Sequence, residues 1–257
     1  MYLMRGDRQL FYRLDGAPEG RRLVLLNSLG TSTASWNGVV EHLASDFCIL
    51  RIDKAGHGGS TPWAGSRRIA DNADDVLAVL EHLGWSGVDI CGISIGGMTA
   101  IELAARQPSA VDRLVLSNTS AHVPPEGLSQ RIATIQASGL SAVAEMAVGR
   151  FLSPGRAHAG YPAYVAALAD FNAVDAESYI GWCRAIIAMD LRPLLPKIAA
   201  RSLVINGTWD VATPPEWGEA VAAGLPNARL VELPTGHLPF LDEPKQYAEI
   251  VRRFLHR

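Results

Sequence analysis

Cysteine is scarce in this chain: Cys48, Cys91 and Cys183 are the only three in 257 residues. An odd set without metal-ligand spacing makes neither a disulfide framework nor a zinc site. Cys48 and Cys91 fall in apolar runs, where a thiol behaves as a small buried hydrophobe. Charge of one sign is lacking too. Lys and Arg number 23 against 26 Asp and Glu, for a net charge of −3, and the basic residues are scattered, which leaves no footprint for nucleic acid. No apolar run approaches the length of a membrane span. The N-terminus has no apolar signal-peptide core. Instead Met1 to Arg5 and Gln9 to Leu14, flanking Gly6-Asp7-Arg8, read as a β-hairpin. The expectation is a cytoplasmic protein acting on small molecules, with no membrane or nucleic-acid partner and its oligomeric state left open.

What is present is core-forming material. Hydrophobic residues make up 48% of the chain, enough for one large α/β domain. After the hairpin, apolar strand-like runs alternate with helical periodicity. Leu23 to Asn27 and Phe47 to Asp53 read as strands, and Ser35 to Ala44 and Ile69 to Leu83 as helices. Such alternation implies a mostly parallel sheet with helices on both faces. It breaks between about Ser120 and Asp190, an Ala-rich helical stretch too long for an ordinary loop. The expected organisation is therefore a core formed by residues 1–119 and 191–257, with 120–190 as a helical cap over the site.

The sharpest motif is Gly92-Ile93-Ser94-Ile95-Gly96, between the strand-like Gly87 to Cys91 and the helical Met98 to Arg106. G-x-S-x-G between a strand and a helix is a nucleophile elbow. Glycines are needed there because the turn is sharp and side chains would strike neighbouring backbone. Ser94 is thereby raised above the sheet at a helix N-terminus, which favours negative charge.

A serine hydroxyl needs a base, and the base an orienting acid. In the fold implied by the elbow they follow in the order Ser, acid, His. Asp210 lies just beyond the strand-like Ser202 to Gly207. His237 follows the strand-like Arg229 to Leu233. Both stand at the carboxyl edge shared with Ser94, where ligands bind in open α/β sheets. Asp210 has a rival role as a cap of the helix starting near Pro214. His42, His82 and His256 fall in helical patterns. His122 and His158 lie in the insertion, and His57, in a Gly-rich turn, reads as structural. For the oxyanion, one donor is the backbone N–H of Ile95. The other is expected in Asn27-Ser28-Leu29-Gly30-Thr31, with Leu29 as the donor.

With these residues in place, the chain resembles the α/β-hydrolase superfamily over essentially its whole length. More narrowly it is similar to the 3-oxoadipate enol-lactone hydrolases. Asn27 to Thr31 with Trp36 following, Ser117-Asn118-Thr119, Met189-Asp190-Leu191-Arg192, and Gly207-Thr208 through Pro214-Pro215 carry that likeness. The departures are Ile187-Ala188, Leu128 and Ala55, at positions where the family usually has Arg-Asp, Trp and Arg. They fall on the substrate side.

The resemblance implies a serine hydrolase that opens a small lactone or ester through an acyl-enzyme, with no metal and no organic cofactor. Its natural substrate would be an acidic enol-lactone, which requires a cation in the pocket. Arg131 is the first candidate, because an Arg-Ile pair occurs at a similar place in that family, and Arg184 is the second. Trp36 and Trp182 are further candidate substrate contacts. The same residues also suit a general carboxylesterase, an acyl-homoserine lactonase, a carbon–carbon bond hydrolase, a perhydrolase, or a receptor that binds a lactone and signals. Haloalkane dehalogenation is disfavoured, because it needs a carboxylate where Ser94 stands.

Overall fold

The computed structural model describes residues 1–63 and 65–256. In chain order its strands are β1 (Tyr2–Arg5), β2 (Arg8–Gly16), β3 (Arg21–Leu26), β4 (Phe47–Ile52), β5 (Val88–Ile93), β6 (Val111–Ser117), β7 (Arg201–Gly207) and β8 (Ala228–Leu233). They form one sheet in the order β1-β2-β4-β3-β5-β6-β7-β8. The hairpin pair β1–β2 and the pair β2–β4 are antiparallel, and every other pair is parallel. Every residue of β4 and β5 is buried, as expected of parallel strands covered on both faces.

The covering helices are α1 (Asn37–Leu43), α2 (Ile69–His82) and α3 (Ile95–Arg106), then α4 (Glu126–Ser138), α5 (Ala144–Gly149), α6 (Pro162–Asn172) and α7 (Ala176–Ala188), and finally α8 (Pro215–Gly224), α9 (Pro239–Asp242) and α10 (Pro244–Leu255). Two boundaries differ from the sequence reading. The helix expected from Ser35 opens as a 3-10 turn, Thr33–Trp36, before α1 begins. The helix after the elbow begins at Ile95, directly behind the serine. Gly96 and Gly97 lie in its first turn, where neighbouring backbone and Thr119 leave no room for a side chain.

Strand order decides where a site can form. From β3 the chain crosses to β4 on one side and later returns to β5 on the other. The loops leaving the carboxyl ends of β3 and β5 therefore diverge and leave a crevice. Leu26 pairs with Gly92 across that boundary, so the loop after β3 lies beside the elbow. Helices α4 to α7 are the interruption noticed in the sequence, and they lie between β6 and β7. Among the described residues no helix is long and apolar enough to cross a membrane.

Candidate active site

Ser94 occupies the left-handed region, with φ 54° and ψ −122°, a conformation that costs a non-glycine residue on the order of 1–3 kcal/mol. Surrounding contacts hold it there. Its N–H donates to Ser117 O at 3.1 Å, and its carbonyl accepts Thr119 Oγ1 at 2.7 Å. The flanking glycines are required by space. A Cβ on Gly96 would collide with the Leu26 carbonyl, and one on Gly92 with the Gly96 carbonyl.

Asp210 and His237 are brought together. His237 Nδ1 is 2.9 Å from Asp210 Oδ2, and since a carboxylate only accepts, Nδ1 carries the proton and Nε2 presents its lone pair. Asp210 Oδ1 also accepts Ala212 N–H at 2.7 Å and Thr213 N–H at 3.0 Å, while Thr213 Oγ1 donates to Oδ2 at 2.6 Å. The local turn and the contact with histidine thus coexist. Burial works against the Asp210 charge, but His237 and the Thr213 donors outweigh it and hold the carboxyl below its ordinary range.

One residue joins the two loops. Asn118, itself at φ 40°, accepts Gly207 N–H at 2.6 Å and donates to Gly236 O at 2.9 Å and His237 O at 2.8 Å. The end of β6 therefore holds the acid loop and the histidine loop in one register. Asn118 entered the sequence reading only through the family likeness, because its partners lie 89 to 119 residues away.

Ser94 and His237 both line a cavity of about 280 Å³, together with Ser28 and Leu29. No hydrogen bond joins Ser94 Oγ to His237 among the described residues. Such contacts are often long before substrate binds. Neither the Leu29 N–H nor the Ile95 N–H is given to a protein acceptor among the described residues. That is the condition an oxyanion donor must meet, and Ile95 is the first residue of α3, where helix N–H groups have no intrahelical partner.

The loop after β3 is clamped from below. Buried Lys54 donates from Nζ to Ser28 O at 2.6 Å and to Thr31 O at 3.3 Å. Burial drives its pKa down, with Asp53 and Asp170 opposing. His57 Nε2 accepts Gly30 N–H at 3.1 Å, and its Nδ1 lies 3.2 Å from Ala55 O. Its burial pushes it well below the ordinary histidine range. A neutral ring donating from Nδ1 and accepting at Nε2 fits both contacts. Asp170 of α6 accepts Ser32 N–H at 2.6 Å, so the insertion also grips this loop.

Three expected substrate contacts lie off the cavity that holds Ser94. Trp36 is wholly buried away from the cavity. It stacks on Phe240 with centroids 4.1 Å apart, and its Nε1–H donates to Asn27 Oδ1 at 2.8 Å. The 3-10 turn after the loop rotates this indole beneath it, where it fixes Asn27. Trp182 is buried as well: its Nε1–H donates to Ala55 O at 3.0 Å, and the Arg67 guanidinium covers its ring. Arg184 is exposed and does not line the cavity. On α7 it shares an outward side with Glu177, two turns before it, and Ala188, one turn after it.

Arg131 does line the cavity, and so does Arg150. Arg131 Nη1 donates to Tyr179 Oη at 3.0 Å, and its buried Nε has no partner. Leu128 and Ile186 line the wall where the sequence pointed to Leu128 and Ile187. Of the aromatics in the insertion, Phe151 reaches the cavity. His122 and His158 are exposed. Among the described residues no group of three His, Cys, Asp or Glu could hold a metal ion.

Comparison with known proteins agrees with this fold. The family model for the alpha/beta hydrolase fold matches residues 21–149, and one described as TAP-like protein matches residues 171–257. The chain is 29% identical over 253 residues to 3-oxoadipate enol-lactonase 2 of Acinetobacter baylyi, covering 98% of this chain and 94% of that protein. It is 30% identical over 260 residues to a pimeloyl-(acyl-carrier protein) methyl ester esterase of Nitrosospira multiformis, covering 96% of this chain and 98% of the other. The crystal structure of the enol-lactonase from Burkholderia xenovorans superimposes with a TM-score of 0.96 at 33% identity, covering 100% of both chains.

Proposed function

This chain belongs to the α/β-hydrolase family and is esterase- and lactonase-like, and within that family we propose a serine hydrolase that opens a small acidic lactone, 3-oxoadipate enol-lactone being the specific substrate. Ser94, His237 and Asp210 are the reacting constellation in this reading. His237 Nε2 takes the Ser94 proton as Oγ attacks the lactone carbonyl. The N–H groups of Leu29 and Ile95 stabilise the oxyanion, where each such donor is worth roughly 3 kcal/mol. Asp210 holds the imidazole in the tautomer that can accept and stabilises the imidazolium that forms. As the tetrahedral intermediate collapses, the carbon–oxygen bond breaks and Nε2 protonates the departing enolate oxygen. Water then gives a proton to Nε2 as its oxygen attacks the acyl carbon, the bond from that carbon to Ser94 Oγ breaks, and Nε2 returns the proton to Oγ as the acid product leaves. Residues 120–190 act as a cap that shapes the pocket, supported by Leu128, Arg131, Arg150, Phe151 and Ile186 on its wall.

The observation that carries the acidic substrate is the pair of arginines that line the cavity. Arg131 and Arg150 share it with Ser94, and neither is paired with a carboxylate among the described residues. Arginine stays charged throughout the working pH range, and two such cations beside an apolar wall select an anion. Arg131 is the better placed for binding, because its Nη1 donates to Tyr179 Oη at 3.0 Å and that bond holds the guanidinium in one position.

Replacing Arg131 by Met keeps much of the stem's packing and removes the charge. Its KM for 3-oxoadipate enol-lactone is expected to rise about tenfold or more, as loss of a charge-assisted hydrogen bond implies. A neutral ester of similar size is expected to be nearly unaffected. Steady-state kinetics on both substrates make the test. A wild-type enzyme that prefers neutral esters by a wide margin would remove the specific lactone and leave the serine hydrolase.

A further inference from the structure

Ser28 has a side chain that the oxyanion role does not use, because the donor is the backbone N–H one residue on. Its hydroxyl is nevertheless 3.5 Å from His237 Nε2. The residue lines the cavity with Ser94 and is only 1% exposed. Its main chain is firmly held, since the carbonyl accepts Lys54 Nζ at 2.6 Å and Thr31 Oγ1 at 3.0 Å. His237 is the hydroxyl's protein partner among the described residues, and 3.5 Å is the weak limit of a hydrogen bond. A buried hydroxyl with so little engagement keeps its donor and acceptor capacity for whatever enters the cavity.

We propose that the Ser28 hydroxyl hydrogen-bonds the oxygen that His237 protonates, so that it assists departure of the leaving group. This rests on the serine-hydrolase reading of the same site. As the carbon–oxygen bond breaks, its electron pair stays on the leaving oxygen and the Nε2 proton moves to that oxygen. The oxygen must then lie about 2.8 Å from Nε2. Nε2 and Ser28 Oγ are 3.5 Å apart, so one oxygen can stand about 3 Å from both on the cavity side. By microscopic reversibility the water of deacylation enters at the same place. It gives one proton to Nε2 while Ser28 Oγ holds its oxygen or its second hydrogen.

The dependence on leaving group separates this role from a merely structural one. A donor at the leaving oxygen matters most when that oxygen is strongly basic, as in an alkoxide, and little for p-nitrophenolate. Ser28→Ala and Ser28→Gly are to be compared with wild type on ethyl acetate and p-nitrophenyl acetate, which share one acyl group. The expected kcat/KM loss is about tenfold on ethyl acetate and under about twofold on p-nitrophenyl acetate. Labelling of Ser94 by a fluorophosphonate to the same stoichiometry shows that each variant has a folded site. Should Ser28→Ala fail that control, Ser28→Gly, which adds no volume, carries the comparison. Equal losses on both esters, or no loss on either, would overturn the proposal while leaving the hydrolase. A wild-type enzyme inert towards both esters and the enol-lactone would overturn the hydrolase reading and this proposal with it.

Discussion

Ser94→Ala is expected to lower kcat by a factor on the order of a million, because nucleophile and base act as one unit. His237→Ala is expected to cost a similar factor, and the double variant little more than either single change. The reason is mechanical: without Oγ there is no proton for Nε2 to take, and without Nε2 the hydroxyl is a poor nucleophile at neutral pH. A small residual rate above water should survive from the Leu29 and Ile95 donors and from binding. Near-normal turnover in folded Ser94→Ala protein would contradict the whole mechanism, and losses that multiply in the double variant would contradict the coupling.

Asp210→Asn is expected to cost about ten-thousandfold in kcat with the fold intact. An amide oxygen can still accept the N–H groups of Ala212 and Thr213, which bond Asp210 Oδ1 at 2.7 and 3.0 Å. An amide NH2 facing Nδ1, however, favours the tautomer with the proton on Nε2, where it blocks acceptance from Ser94. KM is expected to change far less than kcat. Circular dichroism and steady-state kinetics on the same samples check both halves. A loss that tracks unfolding would make Asp210 a turn residue alone, the rival role that its position before α8 suggests.

The sheet, and the strand ends that carry the candidate residues, were legible in the sequence because both depend on local signals. Apolar runs such as Phe47 to Ile52 and Val88 to Ile93 announce buried strands. Ser94, Asp210 and His237 each follow such a run by a few residues, which places them on one edge without any knowledge of contacts. The break in alternation from about Ser120 likewise announced helices α4 to α7. Side-chain direction was not legible. Trp36 and Trp182 look like pocket aromatics by their place in the chain, yet each points into the core and spends its N–H on Asn27 or Ala55. Arg184 lies one residue from buried Cys183, and a single 100° step of the helix carries it to solvent. Ile186 and Ile187 differ by the same step, so the cavity receives the first.

Contacts between polar residues far apart in sequence were the other hidden layer. Lys54 under the loop after β3 and His57 at Gly30 lie in a Gly-rich turn that reads as structural, and only the adjacency of β3 and β4 brings that turn to the candidate site. Asn118 holds Gly207, Gly236 and His237 together from the end of β6. A strand end names a residue as available, whereas strand order decides what it meets.

Mapping the acyl group by mass spectrometry tests the central claim most directly. Protein mixed with p-nitrophenyl acetate, quenched in acid during the first turnovers and digested, is expected to carry an acetyl group on the peptide containing Ser94, and Ser94→Ala protein none. Continued ester turnover with Ser94 unmodified, or an acetyl group found on another residue and needed for turnover, would contradict it.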